Sequence, residues 1–281
     1  MVLATGSESR SLPGLTVDGT KVITSDDAIG LDRVPSSVVI LGGGVIGVEF
    51  ASIWRSYGAE VTIVEMLPHL LPAEDESSSK LLERAFRRRG IAYQLGARFE
   101  EVKDTPDGVT VTLAGGKTLD AELMLVAVGR GPVSAGLGYE AAGVAMDRGF
   151  VLVDEYCRTN VPTISAVGDL TPGPQLAHVG FAEGIGVAER VNGLGVTPID
   201  YDGVPRIAYC DPEVASVGIT AATAAEHRAR VGELIAEGQL IYNWEALPLE
   251  VAQLIHPHPT QSEIIGEASL ALAEKPLHVH A

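Results

Sequence analysis

Cysteine is nearly absent: the 281 residues hold two, Cys157 and Cys210, far apart in the chain. Such a pair supplies no disulfide framework, no metal cluster and no C-x-x-C motif. Basic residues are also scarce, 20 Lys and Arg against 37 Asp and Glu, for a formal charge of −17. A chain this acidic is unsuited to a phosphate backbone or an anionic membrane surface, and no basic stripe offsets it. The densest basic run, RAFRRRG at 84–90, reads as the solvated end of a helix. Long apolar runs are missing as well. The longest, VVILGGGVIGV at 38–48, is too short and too rich in glycine to span a bilayer. The amino terminus, MVLATGSESR, lacks the basic stretch and apolar core of a secretory signal. The expectation is a soluble cytoplasmic protein with neither nucleic acid nor membrane as partner.

What is abundant is glycine, 32 in all, falling between apolar runs in the manner of strand–helix turns. The length suits two modest domains or one large one. SSVVILG at 36–42 is β-branched, apolar and ends in glycine, which predicts a buried strand of a parallel sheet. Helical spacing over 45–58 and a second apolar run over 60–66 complete a β-α-β unit. A charged helix is predicted over 74–90, then alternating runs with a Gly-Gly hairpin turn, then a buried strand over 123–132. The texture changes near 147. Beyond it come two strands, a Gly-Asp turn, a helix, and two further helical segments at 221–242 and 260–274.

The strongest local motif is Gly42-x-Gly44-x-x-Gly47, with Gly43, Val45 and Ile46 between its glycines. It lies between a buried strand and a helix, the setting in which such a motif binds a dinucleotide. The first glycine permits the tight turn, the second lets a pyrophosphate approach the backbone, and the third lets helix and strand pack closely. The helix amino terminus then turns its N–H groups and dipole on the phosphates. Glu65 ends the next strand, where a carboxylate accepts ribose hydroxyls and repels a 2′-phosphate; no Arg or Lys follows at once, so NAD is expected over NADP. Glu49 is expected near the nucleotide, with a surface salt bridge as its alternative. Gly168-Asp169 forms a second strand-end turn, which alone is a loop aspartate. In LIHPHPTQSE (254–263), Thr260 and Glu263 fit a helix capping box, while His258 with Glu263 fits a carboxylate-tuned base. Spacing does not decide between the two. His278 and His280 read as part of a frayed tail.

Taken in order, the stretches ATGS (4–7), 38–65, LMLVAVGRGP (123–132), RTNVPTISAVGDL (158–170), QLAHVGFAEG (175–184), YCDPEVASVG (209–218) and IHPHPTQSE (255–263) resemble the pyridine nucleotide–disulfide oxidoreductases. Within that family they are most similar to the dihydrolipoyl dehydrogenases. The resemblance implies an α/β fold: a Rossmann-like NAD-binding domain, a partial FAD-domain segment and a shortened α+β dimerisation domain. Implied boundaries are 1–34 for the end of an FAD segment and linker, 35–147 for the NAD domain, 148–200 for the returning FAD segment and 201–281 for the dimerisation domain. Gly42 to Gly47 and Glu65 would hold NAD, with Phe99 near the adenine and Ala127, Val128, Gly129 and Arg130 along the nicotinamide side. Gly168, Asp169 and Ala177 would meet FAD. His258, oriented by Glu263, would be the base toward a dihydrolipoyl dithiol on a lipoyl-bearing protein of a 2-oxoacid dehydrogenase complex. Because that base serves the other subunit's site, a homodimer is implied.

The departures carry expectations of their own. The family's amino-terminal FAD unit and its C-x-x-x-x-C redox pair have no counterpart in the 281 residues, and Cys157 and Cys210 do not stand in for the pair. The lysine that usually partners the residue at Glu49 is missing, Val133 replaces an asparagine, and the dimer-domain sheet is expected to be largely deleted around His227. The chain alone is therefore expected to bind NAD(H) without being a competent dehydrogenase, and to expose apolar faces. Two other readings stay open: a non-catalytic nucleotide-binding or dimerising remnant, and a soluble transhydrogenase or mercuric reductase-like enzyme.

Overall fold

The computed structural model describes residues 1–226, 246–251, 253 and 268–270. The chain falls into two compact units, 1–218 and 219–281. The first begins with β1 (Val2–Leu3), β2 (Ser7–Ser9), β3 (Val22–Ile23) and a short α1 (Ser25–Ile29). The β-α-β unit follows as β4 (Ser37–Leu41), α2 (Val45–Ser56) and β5 (Glu60–Val64), then α3 (Glu76–Arg89) and β6 (Ala92–Gln94). Next are β7 (Phe99–Thr105), β8 (Gly108–Leu113), β9 (Lys117–Ala121) and β10 (Leu123–Val126). The unit closes with β11 (Arg130–Pro132), β12 (Met146–Asp147), β13 (Phe150–Val151), β14 (Ser165–Ala166), α4 (Ala177–Val191), β15 (Arg206–Ala208) and β16 (Val214–Ser216). The described part of the second unit includes α5 (Ala221–Glu226) and α6 (Pro248–Val251).

A five-stranded parallel sheet in the order β3-β10-β4-β5-β6 forms the centre of the first unit. Its strands are apolar on both faces because both are covered. On one face Val38, Ile40, Val61, Ile63, Leu123 and Leu125 meet Val48, Ala51 and Trp54 of α2 and Leu82 and Phe86 of α3. On the other, Val39, Leu41, Val64, Met124 and Val126 meet Val109, Val111 and Leu113 of β8. The alternation of adjacent residues between two clusters is the two-residue period of a strand. The second face is thus covered by the antiparallel sheet β7-β8-β9 rather than by helices. The chain between β6 and β10 is spent on that sheet, whose second turn is the expected Gly115-Gly116 pair.

One expected element divides. The run 123–132 is two strands: β10 lies in the parallel sheet and β11 pairs antiparallel with β2. The break falls at Gly129, whose φ of +113° sends the chain out of line with β10. Beyond it, β1 pairs with β14, and β12 pairs with β13. Helix α4 buries Val179, Glu183 and Val187 but leaves Phe181, Ile185 and Val191 exposed. The β15–β16 hairpin closes on α2, since Ala208 and Cys210 join the same cluster as Trp54.

The α3 face should show this asymmetry in stability. Phe86 is fully buried, so Phe86→Ala is expected to cost about 3–5 kcal/mol in urea unfolding. Leu81, 61% exposed on the same helix, should cost within about 0.5 kcal/mol when replaced by alanine. Equal losses would show that α3 does not pack by the Phe86 face.

Candidate functional site

Strand order reverses beside β4, with β5 and β6 to one side and β10 to the other, so a crevice opens at the carboxyl end of β4. The three motif glycines sit there and face different constraints. Gly42 has φ +111°, and a Cβ on it would overlap the Ala127 carbonyl oxygen. Gly47 lies inside α2, where a Cβ would overlap the Gly42 carbonyl oxygen. Gly44, the residue that starts α2, has open space where its Cβ would be. Two glycines are therefore required by the protein's own backbone, and the third leaves room at a helix amino terminus. Val45 and Ile46 form the first turn of α2.

Glu65 is 8% exposed and holds this turn in place. Its Oε2 accepts the Gly43 N–H at 2.6 Å and its Oε1 accepts the Leu67 N–H at 2.8 Å. A carboxylate bound to two backbone donors gives bonds of about 1.5–3 kcal/mol each. The loop after Glu65 returns to the turn: Leu71 N–H donates to the Gly43 carbonyl at 2.8 Å, and Leu70 N–H donates to Glu83 of α3 at 3.1 Å. A further loop runs along the same strand end, with Ala97 N–H bonded to the Glu65 carbonyl at 2.9 Å, and so brings Phe99 to this side of the sheet. Ala127 N–H bonds to the Leu41 carbonyl at 2.8 Å, which keeps Ala127 and Val128 beside the glycine turn. Glu49 accepts the Tyr209 N–H at 2.8 Å and so joins α2 to the hairpin.

Arg130 and Asp169 meet through Ser7. Arg130 Nε donates to Ser7 Oγ at 2.7 Å, and Ser7 Oγ donates to Asp169 Oδ2 at 2.5 Å. Gly168 N–H donates to Glu183 of α4 at 2.6 Å, and Tyr201 donates its hydroxyl to the same carboxylate at 2.6 Å. Burial, with that hydrogen bond to Glu183, pushes the Tyr201 phenol well above its ordinary range. Ala177 is the exposed first residue of α4. Ser7, Glu83 and Glu183 have roles that spacing did not reveal, although Ser7 belongs to the ATGS stretch.

Residues 1–184 match the family described as pyridine nucleotide-disulphide oxidoreductase. The chain belongs to that family. It is 36% identical to a dihydrolipoyl dehydrogenase of Bacillus subtilis, covering 99% of this chain and 69% of that protein. The mitochondrial dihydrolipoyl dehydrogenase of Pisum sativum is 34% identical, over 99% of this chain and 66% of that protein. The alignment with the Bacillus protein runs over 327 residues although this chain has 281, so it is gapped within the chain. Among solved structures, LpdA from Mycobacterium tuberculosis superposes with TM-score 0.77 at 28% identity, covering 96% of this chain and 69% of that one. The HOCl-induced flavoprotein disulfide reductase RclA from Escherichia coli gives 0.76 at 25% identity, covering 94% and 71%.

For a disulphide oxidoreductase the thiols need placing. Cys157 and Cys210 are both free and buried, in separate clusters. Burial pushes the Cys157 thiol up to about 11, with Glu183 and Asp154 adding to it. Burial likewise raises Cys210 to about 11. His258 and Glu263 lie outside the described residues. Among the described residues no His, Cys, Asp and Glu cluster could hold a metal ion, and no helix is long and apolar enough to cross a membrane.

Both thiols should therefore stay protonated and unreactive in the folded chain. A thiol reagent at about pH 8 is expected to modify neither until denaturant is added. Below the ordinary thiol value of 9.0 both states hold these protons. Above it the unfolded thiols ionise first, so stability should fall as pH rises toward 11. A cysteine titrating rapidly in the native protein at about pH 8 would contradict this placement.

Proposed function

We propose that this chain binds NAD at the Gly42–Gly47 turn and is the pyridine-nucleotide part of a dihydrolipoyl dehydrogenase-like flavoprotein. The observation that carries the reading is the contrast among the glycines: Gly42 and Gly47 are tight against backbone, and Gly44 alone is open. Open space at the start of a helix, beside a strand-end carboxylate, fits a pyrophosphate followed by a ribose. Glu65 oxygens that each take one N–H keep further lone pairs for ribose hydroxyls. Met66 and Leu67 follow Glu65, so no cation there would receive a 2′-phosphate, and NAD is favoured over NADP. Bound NAD would supply the hydride acceptor of the overall reaction.

In this reading Phe99 faces the adenine side and Ala127, Val128, Gly129 and Arg130 the nicotinamide side. FAD would meet Gly168, Asp169 and Ala177, and 35–147, 148–200 and 201–281 would be NAD, FAD and dimerisation segments. His258 would exchange a proton with a dihydrolipoyl dithiol, oriented by Glu263, in a cytoplasmic homodimer that meets a lipoyl-bearing protein. The 281 residues contain no thiols besides Cys157 and Cys210, both buried. We infer that the chain as it stands takes up NAD(H) without oxidising a dithiol. The buried thiols equally favour a nucleotide-binding or dimerising module with no redox turnover. Flavin absorbance in the purified chain separates the two, since only the first reading includes FAD.

Gly44→Ala should fold like the native chain, because its Cβ meets nothing in the protein, yet weaken NADH binding about tenfold or more. Calorimetric titration with NADH, and with NADPH as the weaker ligand, reads this directly. Absence of binding by the native chain at about millimolar NADH would sink the proposal.

A further inference from the structure

His69 lies in the loop after Glu65 and has a carboxylate at each ring nitrogen. Nδ1 is 3.2 Å from Glu83 Oε1, and Nε2 is 3.2 Å from Glu76 Oε1. The ring is 27% exposed and Glu83 12%, so the pair is shielded but open to protons. Glu83 Oε1 also accepts Leu70 N–H, and the next residue, Leu71, donates to the Gly43 carbonyl. The Leu70 side chain packs over Gly43, with Cδ2 2.7 Å from where a Cβ would stand. The imidazole, the buried glutamate and the dinucleotide turn thus form one connected path.

We propose that His69 in its protonated form clamps the Leu70–Leu71 segment onto the glycine turn, so that the turn is held more firmly, and takes dinucleotide better, with the imidazole charged than with it neutral. This deepens the NAD reading above and rests on it for the ligand. An imidazolium donates from both nitrogens and satisfies both carboxylates. Neutral imidazole keeps one N–H, and one carboxylate then faces a bare ring nitrogen. On α3, Lys80 pairs with Glu76 and, ahead of His69, holds that carboxyl below its usual value. Within the loop, Glu74 is paired with Arg206 of β15. On β6, Tyr93 donates its hydroxyl to the Glu83 carbonyl and accepts from Arg87, so it competes for neither carboxylate oxygen.

The test uses the full chain. Amide exchange at Leu70 and Leu71, corrected for intrinsic pH dependence, is compared at about pH 6 and about pH 8.5 in native and His69→Gln protein without nucleotide. Protection in the native chain should fall about threefold to tenfold at the higher pH and stay level in the variant. The same pH dependence in both overturns the clamp. Should the variant not fold, the His69 ring is titrated by NMR in the native chain with and without NADH. By reciprocity the nucleotide must raise its midpoint, and an unmoved midpoint overturns the proposal. NADH affinity should follow the same pH interval and factor in the native chain alone. Failure to bind NADH at any pH overturns the cofactor reading, while exchange decides the clamp independently.

Discussion

The bond from Gly43 N–H to the Glu65 carboxylate is the constraint on which the site depends. It joins the carboxyl ends of β4 and β5 where strand order reverses, and it places a charge where an open helix start points. The turn it holds has no slack. Gly42 is against Ala127 of the β10 end, and Gly47 is against Gly42 itself. Moving either would separate α2 from the sheet, and α2 carries Val48, Ala51 and Trp54 into the main core. Turn geometry and core packing are thus one arrangement, because the helix that buries apolar surface also starts at the glycine turn.

Three glutamates repeat one device. Glu65 accepts Gly43, Glu83 accepts Leu70 and Glu183 accepts Gly168, each a buried carboxylate on a backbone N–H of a strand-end loop. An uncompensated buried charge would cost several kcal/mol, and these are compensated by donors that a loop would otherwise leave unpaired. In so acidic a chain, the interior carboxylates are fasteners for turns, and two of those turns are the ones expected to meet cofactors. Lysine and arginine serve elsewhere. Arg89, for example, ties Ser52 and Ser56 of α2 to the Asp211 carbonyl beyond β15.

The first sheet and its turn were legible because their signals are local. β-Branched runs define β4 and β5, and the glycine spacing defines the entry to α2. The antiparallel cover of the second face was legible only as alternating strands, since nothing within 99–121 says which surface they protect. The strand expected over 123–132 failed at Gly129 because an apolar run does not reveal a change of sheet. Ser7 was beyond reach for a different reason. Its partner Asp169 is 162 residues away, and a serine in a short half-buried strand has no pattern that predicts such a meeting. The catalytic pair expected at His258 and Glu263 lies outside the described residues, so for it the sequence is the sole source.

Ser7 changes how the two expected cofactor regions relate. Arg130, at the start of β11, donates twice to Ser7, through Nε to the hydroxyl and through Nη2 to the carbonyl at 2.6 Å. Asp169 accepts the hydrogen bond that the hydroxyl donates. The hydroxyl is therefore fixed in one orientation, donor toward Asp169 and acceptor toward Arg130. Strand β2 presents it there because β11 pairs with β2 in a register that sets Arg130 opposite Ser9. A guanidinium and a carboxylate that share one serine keep charges of opposite sign close without direct contact. The end of β11 and the turn after β14 are thereby held at a fixed separation. That link runs through one side chain only, so the spacing of the two turns rests on the Ser7 hydroxyl and on the β2–β11 register that presents it.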